Sequence, residues 1–239
     1  MLLRLRNSAA AMTGMVREQE RTAHNLANAA TVGFKGDRTF TEVLSQQVNA
    51  DGAVESSRAT SQWVDLSQGG LQQTGNPLDL ALQGDGFFVV TDQETDEARY
   101  TRAGRFQVDT SGMLTNPQGM LVDGEGGPIQ IPSEATKIEI ALDGSIKADG
   151  QRIGSLRVVN FEDPSVLERI DGSSFSAGDA EPLETKAEVH QGFVESSNVD
   201  AIQEMTGMIE HLRRFEMHQR LMRSTDQNLS SSIRSLGKF

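Results

Sequence analysis

Cysteine is absent from this 239-residue sequence, which also has only six prolines, one tryptophan and one tyrosine. Without a thiol the chain has no disulfide, no cysteine-ligated zinc site and no cysteine nucleophile. No run of about 18 consecutive apolar residues occurs, which argues against a membrane-spanning helix. The net charge of −12 argues against nucleic acid or an anionic membrane as the main partner, because such partners are bound by clustered Lys and Arg.

Helix breakers and negative charge are concentrated in the middle of the chain. Residues 45–199 contain all six prolines and 18 of the 23 glycines, and they carry the entire excess of acidic side chains, because both ends are net positive. Because glycine and proline weaken helices, the sequence predicts a helix at each end and a β-rich body between them. The predicted segments are an N-terminal helix with its exit at 1–44, an extended connector at 45–75, an antiparallel β domain at 76–195 and a C-terminal helix at 196–239.

Both ends of the chain carry a seam of residues spaced alternately three and four apart, which is typical of a heptad repeat. The C-terminal seam consists of Met208, Leu212, Phe215, Gln219, Met222, Asp226, Leu229, Ile233 and Leu236, and the N-terminal seam includes Leu5, Met12, Val16, Gln19 and Leu26. Asp200 is placed to cap the start of the C-terminal helix. One interpretation is that both helices are amphipathic and lie on the protein's own core.

The narrowness of the seam favours a second interpretation. One apolar stripe that packs on one partner is insufficient to order so long a helix. We therefore predict that the two helices pair with each other and also with neighbouring subunits, so that the seam residues form a subunit interface. The helices would then be frayed in the free monomer. The polar seam residues Gln19, Gln219 and Asp226 are candidates for setting the register between helices.

The middle segment has the pattern of short strands separated by turns. Apolar residues alternate along Leu78–Leu82, and Gly84-Asp85-Gly86 connects this run to the apolar run Phe87–Val90, which predicts a hairpin. Asp143-Gly144, Asp149-Gly150 and Asp171-Gly172 are turn dipeptides at close spacing. The predicted fold class is mixed but mainly β, with an antiparallel all-β central domain flanked by terminal helices that pair as a coiled-coil-like domain.

Catalytic and ligand-binding patterns are weak throughout the sequence. Gly84-Asp85-Gly86 lacks the third glycine and the following helix of a dinucleotide loop, and Gly124–Ile129 lacks the Lys-Ser/Thr of a phosphate loop. Of the four histidines, only His211 and His218 share a predicted helix, and their seven-residue spacing suits a metal poorly. We predict no enzyme, no cofactor and no metal site, because an enzyme would need a pocket with convergent titratable groups.

The most distinctive motif is the exit from the first helix. The candidate residues of this helix-exit motif are Asn25, Leu26, Asn28, Thr31, Gly33 and Phe34. Asn28 tolerates the left-handed conformation, Gly33 permits a sharp turn, and Phe34 can pin the exit against a core. Lys35 follows directly.

This exit closely resembles the Asn-Leu-Ala-Asn…Thr-x-Gly-Phe-Lys/Arg signature of bacterial flagellar rod and hook proteins. Three further segments resemble signatures of that family in the same order, namely Pro77–Phe88, Tyr100–Phe106 with its Tyr-Thr-Arg-x-Gly-x-Phe pattern, and Gly192–Val199. Within the family, Gly124–Ile129 and Arg213–Met217 most resemble members of the proximal-rod type, and the distal-rod type is a close relative.

The resemblance implies a structural subunit of the flagellar basal-body rod, in its proximal part, whose terminal helices form a tube around the export channel. It implies torque transmission without catalysis, a periplasmic location, and export by the flagellar type III apparatus without a cleaved signal peptide. The implied partners are other rod proteins, copies of this chain and the export apparatus, with no nucleic acid and no direct membrane insertion. Two alternatives stay open: a distal-rod or hook-type axial protein, and a coiled-coil binding module that forms closed oligomers.

Overall fold

The computed structural model describes residues 2–48, 54–185 and 187–236. The chain forms two compact units, one made of Met1–Ala27 with Asp200–Phe239 and the other of Asn28–Val199. The first, which we term the helical unit, contains one helix from each end of the chain, and the second, the β unit, contains antiparallel strands. The predicted fold class, mainly β with a helix at each end, is confirmed.

The elements follow one another simply along the chain. The helical unit contains α1 (Leu2–Ala27) and α2 (Ala201–Leu236). The β unit contains β1 (Asp37–Val48), β2 (Val54–Val64), β3 (Leu71–Gln73), β4 (Leu80–Gln83), β5 (Phe87–Thr91), β6 (Ala98–Thr101), β7 (Gln107–Val108), β8 (Leu114–Thr115), β9 (Leu121–Gly124), β10 (Gly127–Pro128), β11 (Ile138–Ile140), β12 (Ser145–Ala148), β13 (Gln151–Ser155), β14 (Val158–Asn160), β15 (Glu168–Asp171), β16 (Ser174–Ser176), β17 (Leu183–Glu184), β18 (Glu188–Gln191) and β19 (Phe193–Glu195). A 3-10 turn at Pro164–Val166 lies between β14 and β15.

Helix α2 begins where the sequence predicts. The Asp200 side chain accepts hydrogen bonds from the backbone N–H groups of Ile202 and Gln203 at 2.9 and 3.2 Å. These bonds satisfy donors that the first turn of a helix leaves without an intrahelical partner. Local capping fixes the start of α2, but the stability of a helix this long depends on what packs along its faces.

The largest sheet of the β unit separates two apolar clusters. Its main path runs β15–β16–β6–β5–β9–β8–β7, and β5 also pairs with β14. Phe87 and Val89 of β5 belong to one cluster, whereas Phe88 and Val90 belong to the other. Because successive side chains of a strand point to opposite faces, this burial of four consecutive residues means that both faces of β5 are covered.

The predicted hairpin across Gly84-Asp85-Gly86 is wrong. Strand β4 pairs with β18, more than 100 residues further on, whereas β5 pairs with β6, β9 and β14. The connection therefore crosses from one sheet to another. Alternation and a glycine turn indicate two strands and a bend, but they do not determine which strand each one pairs with.

The turn dipeptides are placed as the sequence predicts. Asp149-Gly150 connects β12 to β13, and both of its residues have positive φ, 47° and 85°. Two central residues with positive φ match a type I′ turn, whose twist suits a tight hairpin. Asp143-Gly144 and Asp171-Gly172 join β11 to β12 and β15 to β16.

Residues 45–75 differ from the plain connector that the sequence predicts. Strands β1 and β2 form a long antiparallel hairpin, in which Asp37 pairs with Val64 and Val48 pairs with Val54. Strand β3 then pairs with β19 near the end of the β unit. The backbone is extended, as expected, but most of it is engaged in ladder pairing.

Candidate functional site

A fully buried ionic cluster lies where three of the sequence signatures meet. Lys35 Nζ is 2.5 Å from Glu195 Oε1, and Arg102 Nη1 is 3.3 Å from Glu195 Oε2. Lys35 and Glu195 are 0% exposed and Arg102 is 3% exposed. Lys35 ends the helix-exit motif, Arg102 belongs to the Tyr-Thr-Arg segment and Glu195 to the Gly192–Val199 segment. The fold therefore joins three signatures that are far apart in sequence through one carboxylate.

Hydrogen bonds to the backbone complete this cluster. Lys35 Nζ donates to the carbonyl of Ser67 at 2.7 Å, and the N–H of Gly69 donates to Glu195 Oε1 at 2.9 Å. Arg102 Nη2 donates to the carbonyl of Gly84 at 2.8 Å, which brings in the fourth signature, Pro77–Phe88. Buried charges are tolerated only when they are paired and hydrogen-bonded, and here each charged group has both kinds of partner.

The charged groups of this cluster depend on one another electrostatically. Burial lowers the pKa of the Lys35 ammonium group, because desolvation penalises its charged form, and the Glu195 carboxylate opposes that shift. Burial also lowers the pKa of the Arg102 guanidinium, again against the attraction of Glu195. Removing the carboxylate would leave two cations close together in a buried site.

Glycine at position 33 lets the exit segment approach this cluster closely. Gly33 has φ +67°, and its N–H donates to the carbonyl of Glu195 at 2.7 Å. A Cβ at this position would overlap the backbone of Arg102 and Ala103. The predicted turn at Gly33 is therefore correct, and it has a second reason in the close backbone contact.

Asn28 does not adopt the left-handed conformation that the sequence suggests, since it is not among the residues with positive φ. Its side chain instead accepts a hydrogen bond from Thr31 Oγ1 at 3.2 Å, and its carbonyl accepts one from the Thr31 N–H at 3.0 Å. Gly33 provides the left-handed residue of this exit. The Asn28–Thr31 pair closes the turn between the helix and Gly33.

Phe34 is fully buried and pins the exit segment, as predicted. The guanidinium of Arg169 lies over its ring at 4.6 Å from the centroid and over the Phe175 ring at 5.2 Å. Arg169 also donates to the carbonyl of Lys35 and to Asp37 Oδ1. The sequence offered no signal for Arg169, because it lies outside every recognised motif and its neighbours alternate as in any surface strand.

Asn198 joins three segments of the β unit. Its Oδ1 accepts a hydrogen bond from the N–H of Gly36 at 2.7 Å, and its Nδ2 donates to the carbonyls of Asp65 and Ser67 at 2.7 and 3.2 Å. The segment that follows α1 is thereby held beside the segment that precedes α2. The Gly192–Val199 signature thus has a structural reason: its Glu195 and Asn198 each bind the exit segment.

We expect Asn198→Ala to lower the free energy of unfolding by about 2–4 kcal/mol, because it removes hydrogen bonds to three backbone groups and leaves two of them, the Gly36 N–H and the Asp65 carbonyl, without their partner. Chemical denaturation followed by circular dichroism measures this loss. Gln93→Ala is the control, since its amide makes an exposed bond to the Gly119 carbonyl, and it should change the unfolding free energy by less than about 0.5 kcal/mol. Equal losses for the two variants would show that Asn198 does not clamp these segments.

Within the helical unit, α1 and α2 pair through polar side chains near Ala27 and Asp200. Asn25 is 1% exposed, and its Nδ2 donates to Glu204 Oε1 at 3.1 Å. Arg21 lies 3.8 Å from the same carboxylate oxygen. Thr22 is buried beside Gly207, where a Cβ would lie 4.0 Å from its methyl carbon. Asn25, predicted as part of the exit motif, therefore binds the partner helix.

The predicted seam is partly covered by this pairing. Half-buried seam residues are Met12, Gln19 and Leu26 on α1 and Met208, Phe215, Gln219 and Met222 on α2. Val16 and Leu212 are 40% and 46% exposed. The side chains of Leu5, Asp226, Leu229, Ile233 and Leu236 lie outside the described part of the structure. The role of the seam in contacts between subunits stays a prediction.

A second apolar line on α2 was missed by the sequence reasoning. Ile202, Met205 and Ile209 are 76%, 52% and 54% exposed, and with Leu212 they recur at steps of three and four. We term these four residues the outer line. The sequence predicts one seam on α2, and Leu212 belongs both to that seam and to the outer line. Exposed contiguous apolar surface on a helix is typical of an interaction site.

The titratable groups that the fold buries together are those of the paired Lys35–Glu195–Arg102 cluster. Among the described residues, no group of three or more His, Asp or Glu side chains is arranged to hold a metal ion. Within the same ranges, no helix is long and apolar enough to cross a membrane. Two candidate sites therefore result. The first is the set of buried polar contacts that joins the segment after α1 to the segment before α2, and the second is the exposed outer line of α2.

Two segments of the chain match family models of flagellar proteins. Residues 81–148 match the family model of the flagellar hook protein FlgE/F/G D1 domain. Residues 190–235 match the model of the flagellar basal body rod FlgEFG protein C-terminal region, which covers Glu195, Asn198 and most of α2. The chain belongs to the family of flagellar basal-body rod proteins.

Within this family the chain is similar to the FlgF proteins. It is 36% identical to the flagellar basal-body rod protein FlgF of Salmonella typhimurium, with 89% of this chain and 90% of the relative covered. It is 35% identical to FlgF of Mesorhizobium japonicum, with 95% of each covered. FlgG of Caulobacter vibrioides is 33% identical, with 97% of this chain and 99% of the relative covered. The resemblance found in the sequence motifs is confirmed.

Proposed function

We propose that this chain is a structural subunit of the proximal flagellar rod, which assembles through its two helices into a helical tube around the export channel. The observation that carries the proposal is the outer line of α2, whose four apolar side chains are 46–76% exposed. A helix with two apolar faces needs two partners, and α1 supplies one of them. Other subunits of the rod supply the second.

Open-ended assembly follows from the kind of contact that these faces make. When one surface of a subunit binds a different surface of the next, the contact does not close on itself and produces a helical filament. The inner face of α2 already binds α1 through Glu204, Asn25 and the half-buried seam. Ile202, Met205 and Ile209 of the outer line lie outside that seam and are exposed, so we expect their partner to lie on a neighbouring molecule.

The buried ionic cluster supports a mechanical role. Lys35, Arg102 and Glu195 fix the segment that follows α1 to the segment that precedes α2, and Asn198 and Arg169 strengthen the same joint. A rod that transmits torque needs the chain segments between its helices and its β unit held in one arrangement. Buried polar networks provide such rigidity when their charged groups are paired, and here every charged group has an ionic partner, although Nε of Arg102 and of Arg169 has no hydrogen-bond partner.

The proposed partners are other rod proteins, copies of this chain and the flagellar type III export apparatus. The proposed location is the periplasmic rod of the basal body, reached without cleavage of a signal peptide. No catalytic turnover, cofactor or nucleic-acid partner is part of the proposal. The similarity to FlgF, with FlgG as a further relative, supports assembly with rod subunits of more than one kind.

Polar substitution of the outer line tests the proposal. We expect Met205→Gln with Ile209→Gln to weaken each subunit contact by about 3–6 kcal/mol, because two apolar side chains lose their burial. Incorporation into basal bodies and swarming should then be lost in a strain that lacks its own proximal-rod subunit. The isolated variant should melt within a few degrees of the wild type, since both side chains are exposed in the free chain.

Leu142→Gln is the matched control. Leu142 is 54% exposed and lies in the β unit, so an exposed apolar side chain is again replaced by glutamine, but on a different surface. This variant should swarm normally. Normal swarming of the Met205/Ile209 variant would refute assembly through the outer line.

The distal rod is the second candidate, favoured by the similarity to FlgG over nearly the whole chain. Expression in two strains, one lacking the proximal-rod subunit and one lacking the distal-rod subunit, distinguishes the two places. We expect motility to return in the first strain only. Restoration of the second strain alone would assign the chain to the distal rod.

A further inference from the structure

The end of the β unit is the place where many of its earlier segments meet. Residues 188–199, which we term the closing segment, contain strands β18 and β19. Strand β4 pairs with β18, and strand β3 pairs with β19. Among the described residues, β3 and β4 have no other strand partner, although the Leu80 N–H of β4 donates to the Gly104 carbonyl at 2.8 Å. Both strands therefore depend on the closing segment for their ladder of hydrogen bonds.

Two further regions of the chain bind the closing segment. The Gln191 side chain donates through Nε2 to the carbonyls of Pro77 and Ile138 at 2.9 and 3.0 Å. The N–H of Val189 donates to the carbonyl of Leu142 at 2.9 Å. The closing segment thereby joins the chain before β4 to strand β11 and to the turn that follows β11.

The segment between α1 and β1 also binds the closing segment through its backbone. We term residues 28–36 the exit segment. The N–H of Gly33 donates to the carbonyl of Glu195 at 2.7 Å. The N–H of Gly36 donates to Asn198 Oδ1, also at 2.7 Å. All of these partners precede the closing segment in the sequence, so none of the bonds to it can form before the closing segment is present.

The closing segment contributes buried side chains as well as backbone bonds. Val189, Val194 and Glu195 are 1%, 2% and 0% exposed. Val189 packs in the same apolar cluster as Leu80 and Leu82 of β4. Undocking the closing segment would return these apolar side chains to water and would remove the carboxylate that two buried cations share. Docking is therefore strongly favoured once the closing segment is present.

The largest sheet of the β unit does not depend on the closing segment in this way. Neither β18 nor β19 belongs to that sheet. In the described part of the chain, the apolar cluster that includes Phe87, Phe161 and Phe175 contains no residue of the closing segment. The cluster on the other face contains only Val189 from it. This sheet can therefore persist while the closing segment is undocked.

We propose that the closing segment is a folding latch. The exit segment, β3 and β4 become ordered only when the closing segment docks, and they lose their order together when it undocks, whereas the largest sheet persists. This ordering goes beyond the proposed function and holds for the isolated chain. Its consequence for assembly rests on the proposed function, because only a chain with a docked closing segment offers a neighbouring subunit the segments next to both helices in fixed positions.

Native-state hydrogen exchange of the full-length chain tests the latch, with Phe34→Leu as the variant. Phe34 belongs to the exit segment, and its ring contacts Arg169, which lies outside the closing segment. A smaller side chain that loses this contact destabilises the docked exit segment. We therefore expect the amides of β18 and β19 to exchange about tenfold faster, because in a latch they open together with the exit segment.

Phe161→Leu is the matched control. Phe161 is 3% exposed in an apolar cluster of the largest sheet, and its ring centroid lies 4.8 Å from that of Tyr100. This variant should speed the exchange of the β5 amides but leave those of β18, β19 and the exit segment unchanged, because the largest sheet stays folded when the latch opens.

Two results of this comparison overturn the proposal. Unchanged exchange of β18 and β19 in Phe34→Leu would show that the closing segment undocks alone. Equal acceleration of the β18 and β5 amides in Phe161→Leu would show that the whole β unit opens as one.

Refolding of the wild-type chain gives a test that needs no variant. Pulsed hydrogen exchange during refolding should show protection of the β5 amides first, and protection of the β3, β4, β18 and β19 amides together in a later phase. Any other order, such as protection of β4 before β18, would overturn the proposal.

Failure of the latch differs from failure of the proposed function, because both exchange measurements use the chain alone. Absence of the wild-type chain from basal bodies would refute the proposed function and leave the exchange results unaffected. Incorporation of the wild type into basal bodies, together with unchanged β18 and β19 exchange in Phe34→Leu, would refute the latch alone.

Discussion

Glu195→Leu is expected to lower the free energy of unfolding of the β unit by about 3–5 kcal/mol, because it leaves Lys35 and Arg102 buried without their shared carboxylate. For a unit of this size the melting temperature should fall by roughly 6–20 °C. Differential scanning calorimetry of the full chain measures the change. The loss should exceed that of any single exposed substitution, since Glu195 also accepts the Gly69 N–H.

Two further variants test whether the loss of stability in Glu195→Leu comes from unpaired charges in a buried site. Glu188→Leu removes a carboxylate whose side chain is 58% exposed beside His190, and it should change the unfolding free energy by less than about 1 kcal/mol. The triple variant Lys35→Met, Arg102→Leu, Glu195→Leu should recover most of the stability lost in Glu195→Leu, because no unpaired charge remains. A triple variant as unstable as the single one would show that the site depends on specific hydrogen bonds rather than on charge balance.

Gly33→Ala is expected to destabilise the β unit by about 2–5 kcal/mol. The left-handed φ of +67° costs a residue with a Cβ about 1–2 kcal/mol, and overlap with the backbone of Arg102 and Ala103 adds the remainder. The atoms that a Cβ at Gly33 would meet are backbone atoms, and these cannot move aside as the end of a flexible side chain can. The Gly33 N–H bond to Glu195 should be lost with this displacement, so the variant should also assemble poorly.

Gly75→Ala measures the conformational contribution alone, so its difference from Gly33→Ala gives the contribution of the overlap. Gly75 has φ +76°, similar to that of Gly33, but a Cβ there would meet nothing within 4 Å. We expect a loss of only about 1–2 kcal/mol from its conformation. Urea denaturation of both variants gives the comparison, and equal losses would show that the close approach at Gly33 contributes nothing.

Local patterns were sufficient to predict the start of α2, a tight turn and the half-buried face of α2, although not the strands within residues 45–75. Asp200 begins α2, Asp149-Gly150 closes a tight hairpin, and the seam residues Met208 and Phe215 lie half-buried. Each of these features depends on residues that are close in sequence. A cap, a turn type and a helical face can therefore be deduced without knowing the partner.

Pairings between distant segments could not be predicted in the same way. Lys35, Arg102 and Glu195 each look like a solvated surface charge in the sequence, because their burial depends on ion-pair partners that are 93 and 160 residues away. The predicted hairpin across Gly84-Asp85-Gly86 is wrong for the same reason, because β4 pairs with the distant strand β18 and not with β5, its neighbour in sequence. The motif resemblance marked these segments as important, but it did not show that they converge on Glu195.

Hydrogen exchange of the α2 amides between residues 202 and 222, in the free chain and in isolated basal bodies, measures whether other subunits complete the helical unit. If the outer line is covered on assembly, exchange of these amides should slow on the order of a hundredfold, while amides of β5 stay protected in both states. Equal and strong protection of α2 in the free chain would show that the monomer already stabilises this helix, and assembly through its terminal helices would be contradicted.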